Sequence, residues 1–381
     1  RYGPSAVWRG VYYRGEKIGF TVSEVTRTDD GFELREQGTI QMVLLGQDSA
    51  ATLETHARVN AAFELQSFAF SLDPGTGPTS VQGTIGPATG GDAVRQLALQ
   101  ITSAGVTRTE SRPLREVPTL ALNLPRQIAA GHLKTGSAHT WFVLDPATAQ
   151  TAPMTVTVGA RSIVRAAGTF VPAYRVEMAF RGLTTTSWIT DTGDVVREES
   201  PLGLMTVQEQ PERARGLAME SSVRADLLQA SAVVPRMSGR IDEPRDIRRL
   251  RVRLSGATLP QTDLVGAGQR ADGAAIELLD PRDPAAPSDR GPLPEDSAPE
   301  ALIESDAPDI RAEAARVVGD ARDDETKASR LTRHVNAIIE KKPTVSLPSA
   351  LDVLRTRVGD CNEHTALFTA LARASGLPTR I

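Results

Sequence analysis

Gly359-Asp360-Cys361-Asn362-Glu363-His364-Thr365-Ala366-Leu367-Phe368 decides how this chain is read, because it places the one cysteine of 381 residues where a helix should begin. Gly359 can end the preceding segment in a left-handed turn, and Asp360 is a good N-cap. Glu363 stands three residues later and completes a capping box. Cys361 is then the first helical residue, its sulfur near unsatisfied backbone N–H groups and the positive end of the helix dipole. That setting favours thiolate over thiol, and the thiolate is the nucleophile. A reactive cysteine and a small cysteine that merely fills a core gap are both open at this point.

Leu367, Phe368, Leu371 and Ala374 extend an apolar stripe along the helix and predict that Cys361 sits at its buried edge. Gly376 is a natural C′ residue, Pro378 forbids continuation, and Thr379-Arg380-Ile381 reads as the start of a strand. Two helices are predicted upstream. One is capped by Asp306-Ala307-Pro308-Asp309, buries Ile310, Ala314, Val317 and Val318, and stops at Gly319. The other follows Asp323-Asp324-Glu325, buries Ala328, Leu331, Val335, Ile338 and Ile339, and ends at Pro343 with Lys341 and Lys342 at its negative end. His334 faces away from that stripe and reads as a solvated residue, and Leu347-Pro348-Ser349 opens a short helix before the cysteine turn.

Three runs together resemble the transglutaminase-like cysteine superfamily: Ser349-Ala350-Leu351-Asp352-Val353-Leu354, then Gly359 through His364, then Leu371-Ala372-Arg373-Ala374-Ser375-Gly376-Leu377-Pro378-Thr379-Arg380. The resemblance covers roughly the last 80 residues. It implies a papain-like fold of the bacterial type, with Cys361 as nucleophile and Asp360 and Glu363 supporting it as the capping box. A histidine base and an orienting aspartate are expected from later strands, beyond Ile381, so the chain reads as the front portion of an enzyme, inactive by itself. It starts at Arg1 without a methionine, and its N-terminus is also expected to be cut.

The implied chemistry is attack on an amide or ester carbonyl, a thioester on Cys361, and transfer of the acyl group to an amine or to water. The Cys361 N–H is one expected oxyanion donor. A Cys361–His364 dyad is the weaker candidate, because a base on the nucleophile's own helix has no evident partner to fix its tautomer. The negative charge of Asp360 opposes the thiolate, although backbone N–H bonds at the cap reduce that penalty. No cofactor is implied, and the absence of an acidic cluster resembling a calcium loop gives no reason to expect a metal. The implied partner is a protein or peptide presenting an amide side chain or bond. The alternative is a non-catalytic binding or scaffold protein with a degenerate transglutaminase-like domain.

The expected fold class is α+β, an antiparallel β-rich sheet or half-barrel followed by the helical first part of the transglutaminase-like core. Residues 1–235 form the β-rich domain, in which Ile18, Phe20 and Val22 alternate with polar residues and Asp30-Gly31 marks a hairpin. The pattern returns at Phe68–Leu72, 154–158, 174–180 and 188–196, and stretches 5–110 and 130–215 hint at duplication without a fixed period. Trp8, Trp141 and Trp188 are either core or the lining of a ligand groove, with core preferred. Residues 236–300 read as a strand-containing connector, Pro-rich over 281–300, and 301–381 as the incomplete transglutaminase-like part. Arginines 240, 245, 248, 249, 251 and 253 are interleaved with Asp242, Glu243 and Asp246, which predicts a solvated face rather than a nucleic-acid patch. A net charge of −4 argues the same way. No apolar run approaches the ~20 residues of a membrane span. One cysteine excludes an internal disulfide, and the β-rich front end suggests an extracytoplasmic location in the periplasm or cell envelope.

Overall fold

A computed structural model describes residues 2–381 apart from 45–46, 75–77, 88–93, 104, 181, 202, 217–233, 238, 256–263, 281–282, 284–285, 288–290 and 343–347. Pro281 and Pro284 of the Pro-rich stretch, and Pro343 and Leu347 named above, lie outside the described residues, as does the side chain of Arg245. Two compact units are distinguished: residues Arg1–Ser231 with Ala298–Ile381, and residues Ala232–Ser297.

Fourteen strands of the first unit form one antiparallel sheet. Eight make a continuous meander: β1 (Val7–Tyr13), β2 (Glu16–Arg27), β3 (Gly31–Leu44), β4 (Gln47–Asn60), β5 (Leu65–Asp73), β6 (Thr79–Ile85), β7 (Arg95–Ser103) and β8 (Val106–Leu114). Six make a second: β9 (Ala138–Asp145), β10 (Gln150–Ala166), β11 (Thr169–Phe180), β12 (Leu183–Ile189), β13 (Val195–Glu199) and β14 (Leu204–Gln208). β1 pairs with β14, so the order runs from β8 to β1 and then from β14 to β9. The stretches that read as similar are thus the two halves of one sheet.

Alternation sets the faces. In β7, Leu97, Leu99 and Ile101 are buried while Gln96, Ala98 and Gln100 are exposed. The hairpin at Asp30-Gly31 joins β2 to β3 as expected, with Arg27 opposite Phe32 and Val25 opposite Leu34. The sheet curls until its ends meet, where Arg112 of β8 donates to the Ala149 carbonyl beyond β9. Leu144 of β9 consequently packs with Leu97, Leu99 and Ile101. Two apolar cores lie on the inner face: one centred on Leu34, Phe68 and Leu99, the other on Val156, Val176 and Ile189. Helix α1 (Leu124–Ala129) plugs the second with Leu124 and Ile128. Trp8 lies on the opposite face of β1, against Val22 and Ala214 of helix α2 (Pro211–Arg215).

The chain returns to this unit at residue 298 and builds helices α3 (Pro308–Val318), α4 (Asp324–Ile338), α5 (Ala350–Thr356) and α6 (Cys361–Ala374). They share a core that includes Ile310, Ala314, Leu331, Val335, Leu367 and Leu371. Ile310, Leu331, Leu367 and Leu371 are fully buried, each contributing about 1.5–3 kcal/mol of transfer free energy. Asp323 caps α4 through its bond from the Thr326 N–H, and Lys341 caps the other end by donating to the Asn336 carbonyl. The first unit is therefore α+β, with the antiparallel sheet first and the helices last. No helix among the described residues is long and apolar enough to cross a membrane.

Within the unit of residues 232–297, β15 (Arg249–Arg253), β16 (Gln269–Asp272) and β17 (Ala275–Leu279) form a small sheet in the order β15-β17-β16. Its arginines meet acids: Arg249 and Arg270 both reach Glu277, and Arg248 reaches Asp280. These bonds, from Arg270 first and Arg249 second, hold the Glu277 carboxyl below its ordinary range.

Candidate active site

The start of α6 is built by a turn that differs from the expected one. The left-handed residue is Arg357, at φ 55° and ψ 33°, and it closes α5. Gly359 is extended: Val358–Gly359 (β19) pairs in parallel with Glu340–Lys341 (β18). Gly359 is needed for space instead of handedness. A Cβ there would stand 2.3 Å from both Cβ and Cγ of Glu363. The glycine admits the glutamate, and the glutamate closes the capping box.

That box is complete. The Asp360 side chain accepts from the Asn362 N–H at 3.0 Å and from the N–H of Glu363, and the Asp360 N–H donates to Glu363 Oε2 at 2.7 Å. Glu363 is 4% exposed, so the box is sheltered from water. At the other end of α6, Leu377 N–H bonds the Ala372 carbonyl and Gly376 N–H the Arg373 carbonyl, with Gly376 at φ +80°. This is the glycine-terminated helix end that the sequence predicts. Thr379 through Ile381 form no strand. The Thr379 carbonyl instead accepts from Arg373 Nε, while Arg373 Nη1 bonds the Ala298 carbonyl and Glu300.

Cys361 is exposed, not at the buried edge of the helix. At 3.6 residues per turn, Cys361 lies about 200° around the axis from Glu363. Glu363, Ala366, Leu367, Ala370 and Leu371 face the core. Cys361, Asn362 and Thr365 occupy the opposite, solvated side. The thiol therefore meets solvent at the first helical position, where backbone N–H groups have no carbonyl partner within the helix.

His364 is half-buried beside this turn. Its Nδ1 stands 2.6 Å from the Asp360 carbonyl oxygen, which can only accept, so Nδ1–H donates and the ring is oriented by this bond. This corrects the expectation that nothing orients the ring. Among the described residues no hydrogen bond joins Cys361 to either ring nitrogen of His364. His334 is also corrected: it is not solvated but packed beside Glu313, with Nε2 2.6 Å from Oε1 and outside straight hydrogen-bond geometry. His56 meets Glu54, and His132 and His139 cluster with Trp141. Among the described residues, no group of three or more His, Cys, Asp and Glu is arranged to hold a metal.

Sequence reading missed Glu304. It is 4% exposed, accepts from Ser349 Oγ at 2.5 Å and from the Leu351 N–H, and so fastens the start of α5, the helix that leads into the cysteine turn. Ser349 was legible as part of the opening of this helix, but a partner 45 residues away leaves no local signal.

Residues 311–381 match the family model of the transglutaminase-like superfamily. No curated protein matches the chain. Among solved structures, the chain is similar to the crystal structure of a DUF1089 family protein from Pseudomonas aeruginosa. That likeness has 12% identity, covers 48% of this chain and 89% of that one, and has a TM-score of 0.29, too low to carry an argument. The stretch that matches the transglutaminase-like superfamily model, residues 311–381, includes the whole cysteine turn and α6.

Proposed function

We propose that Cys361 is the nucleophile of a cysteine acyl-transfer reaction on amide or peptide bonds. The observation that carries this reading is an exposed thiol at the first position of a helix whose start is fixed by a buried capping box. The superfamily match over the same residues supports it.

In the proposed reaction the Cys361 thiolate attacks the amide carbonyl carbon, and the resulting oxyanion meets the Cys361 N–H. The tetrahedral intermediate collapses as the C–N bond breaks, the departing amine takes a proton from a general acid, and a thioester remains. An incoming amine or water then attacks the thioester, and its acyl–sulfur bond breaks to return the thiolate. The general acid and base is assigned to a histidine, with an aspartate to orient it, from the strands that follow the cysteine helix in the family. His364 is assigned no proton transfer, because among the described residues no hydrogen bond joins its ring to the Cys361 thiol.

The test is mass spectrometry of the full-length protein after iodoacetamide treatment, together with incorporation of a fluorescent primary amine and release of ammonia from a glutamine peptide. Cys361→Ala should abolish the alkylation, and with it amine incorporation or amide hydrolysis. If both activities survive that substitution, the acyl-transfer reading is wrong and the non-catalytic scaffold reading takes its place.

A further inference from the structure

The inner face of a curled sheet packs against apolar neighbours and is expected to be apolar throughout. The middle of this one is not. Arg9 of β1, Ser23 of β2, Glu36 of β3 and Glu198 of β13 stand between the two apolar cores and line a cavity of about 370 Å³. Register explains their convergence: Ser23 lies directly opposite Glu36, and Glu198 opposite Thr206, which also lines the cavity. The rest of the wall includes Leu122, Met154, Met178, Phe180 and Leu183. Leu183 is 45% exposed and marks the mouth, whereas Arg9 is 8% exposed and marks the floor.

The floor has hydrogen-bonding capacity to spare. Arg9 Nε donates to the Val195 carbonyl at 2.8 Å and Nη1 to Ser23 Oγ at 2.9 Å. Among the described residues these occupy two of the five N–H donors of a guanidinium. Glu198 accepts from Ser187 Oγ at 2.6 Å. No hydrogen bond from a described residue reaches the Glu36 carboxyl. Burial drives that carboxyl toward its protonated form and Arg9 toward its neutral one, each opposed by the attraction between them. Polar groups kept here at a desolvation cost are what a recognition site requires and a structural core avoids.

We propose that this cavity binds one uncharged amphiphile, its hydrocarbon chain against Met154, Met178 and Phe180 and an amide or hydroxyl head bonded to Arg9 and Glu36. The charges select the head. The second guanidinium of the lining, Arg126, is held by Asp194 at 3.0 Å, so a carboxylate or phosphate that accepts from Arg9 also faces Glu36 and Glu198, and an ammonium that approaches the acids faces Arg9. An amide or hydroxyl accepts from Arg9 and donates to a carboxyl without either conflict. At about 30 Å³ for a water-sized group, the volume holds about a dozen non-hydrogen atoms.

The test is a titration of protein carrying 13C-methyl methionine with decanamide, decanoate and decyltrimethylammonium, each below its micelle concentration. Met154→Leu and Met178→Leu assign two of the six methionine signals. Decanamide should shift those two signals and bind at least about tenfold more tightly than either charged probe. Thr185→Trp, which fills the cavity from its wall, should abolish the shifts, and Glu36→Gln should bring decanoate to within about threefold of decanamide. Dispersed methionine signals in each variant establish that it is folded. Absence of shifts with decanamide, equal affinity for the three probes, or undiminished binding by folded Thr185→Trp would overturn the proposal.

Discussion

Gly359→Ala is expected to damage the cysteine turn through one identifiable clash. The added methyl lies 2.3 Å from Glu363 Cβ, 2.3 Å from Cγ and 2.7 Å from Cδ. Carbon atoms in ordinary contact stand about 3.5–4.0 Å apart, so a displacement of more than about 1 Å is required. Rotation of the Glu363 side chain cannot supply it, because Cβ is fixed to the helix backbone. The start of α6 must move, which breaks the bond from the Asp360 N–H to Glu363 Oε2. Overpacking costs about 1–3 kcal/mol and loss of a cap about 1 kcal/mol. The entropy lost from the unfolded chain when alanine replaces glycine returns about 0.4–1 kcal/mol. The net expectation is about 1–3.5 kcal/mol of local destabilisation.

A double-mutant cycle isolates this cause, read by hydrogen exchange in α6, which reports the opening of that helix separately from the sheet. Glu363→Ala keeps Cβ, so Gly359→Ala should remain costly in that background, though less so than in wild type. Glu363→Gly removes every atom of the clash, and there Gly359→Ala should be neutral or slightly stabilising. A coupling of about 2 kcal/mol or more between positions 359 and 363 is therefore predicted. If Gly359→Ala costs the same with glutamate and with glycine at 363, the glycine is not there to admit the glutamate and the reasoning fails.

Three further outcomes follow from buried polar groups. Arg373→Met should destabilise the helical region by about 2–3 kcal/mol in denaturant unfolding, since it strands the Ala298 and Thr379 carbonyls while Glu300, half exposed, can rehydrate; a loss under about 1 kcal/mol contradicts this. Burial, opposed by the Ser349 hydrogen bond, holds the Glu304 carboxyl above its ordinary 4.5, so folding favours the protonated form. That contribution is complete below 4.5 and lost as pH rises through the higher folded value; unfolding curves should show wild type losing stability relative to Glu304→Gln over that rise, and parallel or reversed curves refute it. Glu209 has the opposite sign: burial pushes its carboxyl up, but Lys17 and Tyr12 outweigh burial and hold it below 4.5. Its stabilisation is present above 4.5 and lost as pH falls through the lower folded value, and acid titration of Glu209→Gln should lack that component.

What was legible in the sequence is mostly what the chain decides over one or two helical turns. The Asp360–Glu363 box and the Gly376 terminus each depend on residues within a few positions of one another, and each appears as read, while Asp323 of the acidic run read as preceding α4 is its cap. The errors at the cysteine turn arise where local grammar admits two solutions. A left-handed residue is needed between α5 and α6, and glycine is the usual choice, but Arg357 takes that conformation. Gly359 is then free for a steric role that appears only once Glu363 is folded back upon it. Cys361 was placed on the apolar stripe by its spacing to Phe368, but Phe368 is only partly buried. The stripe that reaches the core runs through Glu363, Ala366, Ala370 and Leu371.

The cavity was illegible for a different reason, visible in β1. Hydrophobic alternation marks no single interior face there, since Arg9 shares its side with Val7, Val11 and Tyr13 and Trp8 shares the other with Gly10 and Tyr12. Both faces of the strand are in fact covered. Trp8 packs under α2, with the Arg215 guanidinium 4.1 Å from its ring, while Arg9 points into the curl of the sheet beneath residues 121–126. Alternation separates two interiors here instead of an inside from an outside. The polar interior depends on Val195, 186 residues from Arg9 in the chain, and on Glu36 and Glu198 from two other strands. A buried arginine on a strand with both faces covered is stable only where distant acceptors converge on it. No window of sequence contains that convergence, which exists only when β1 has joined the two meanders.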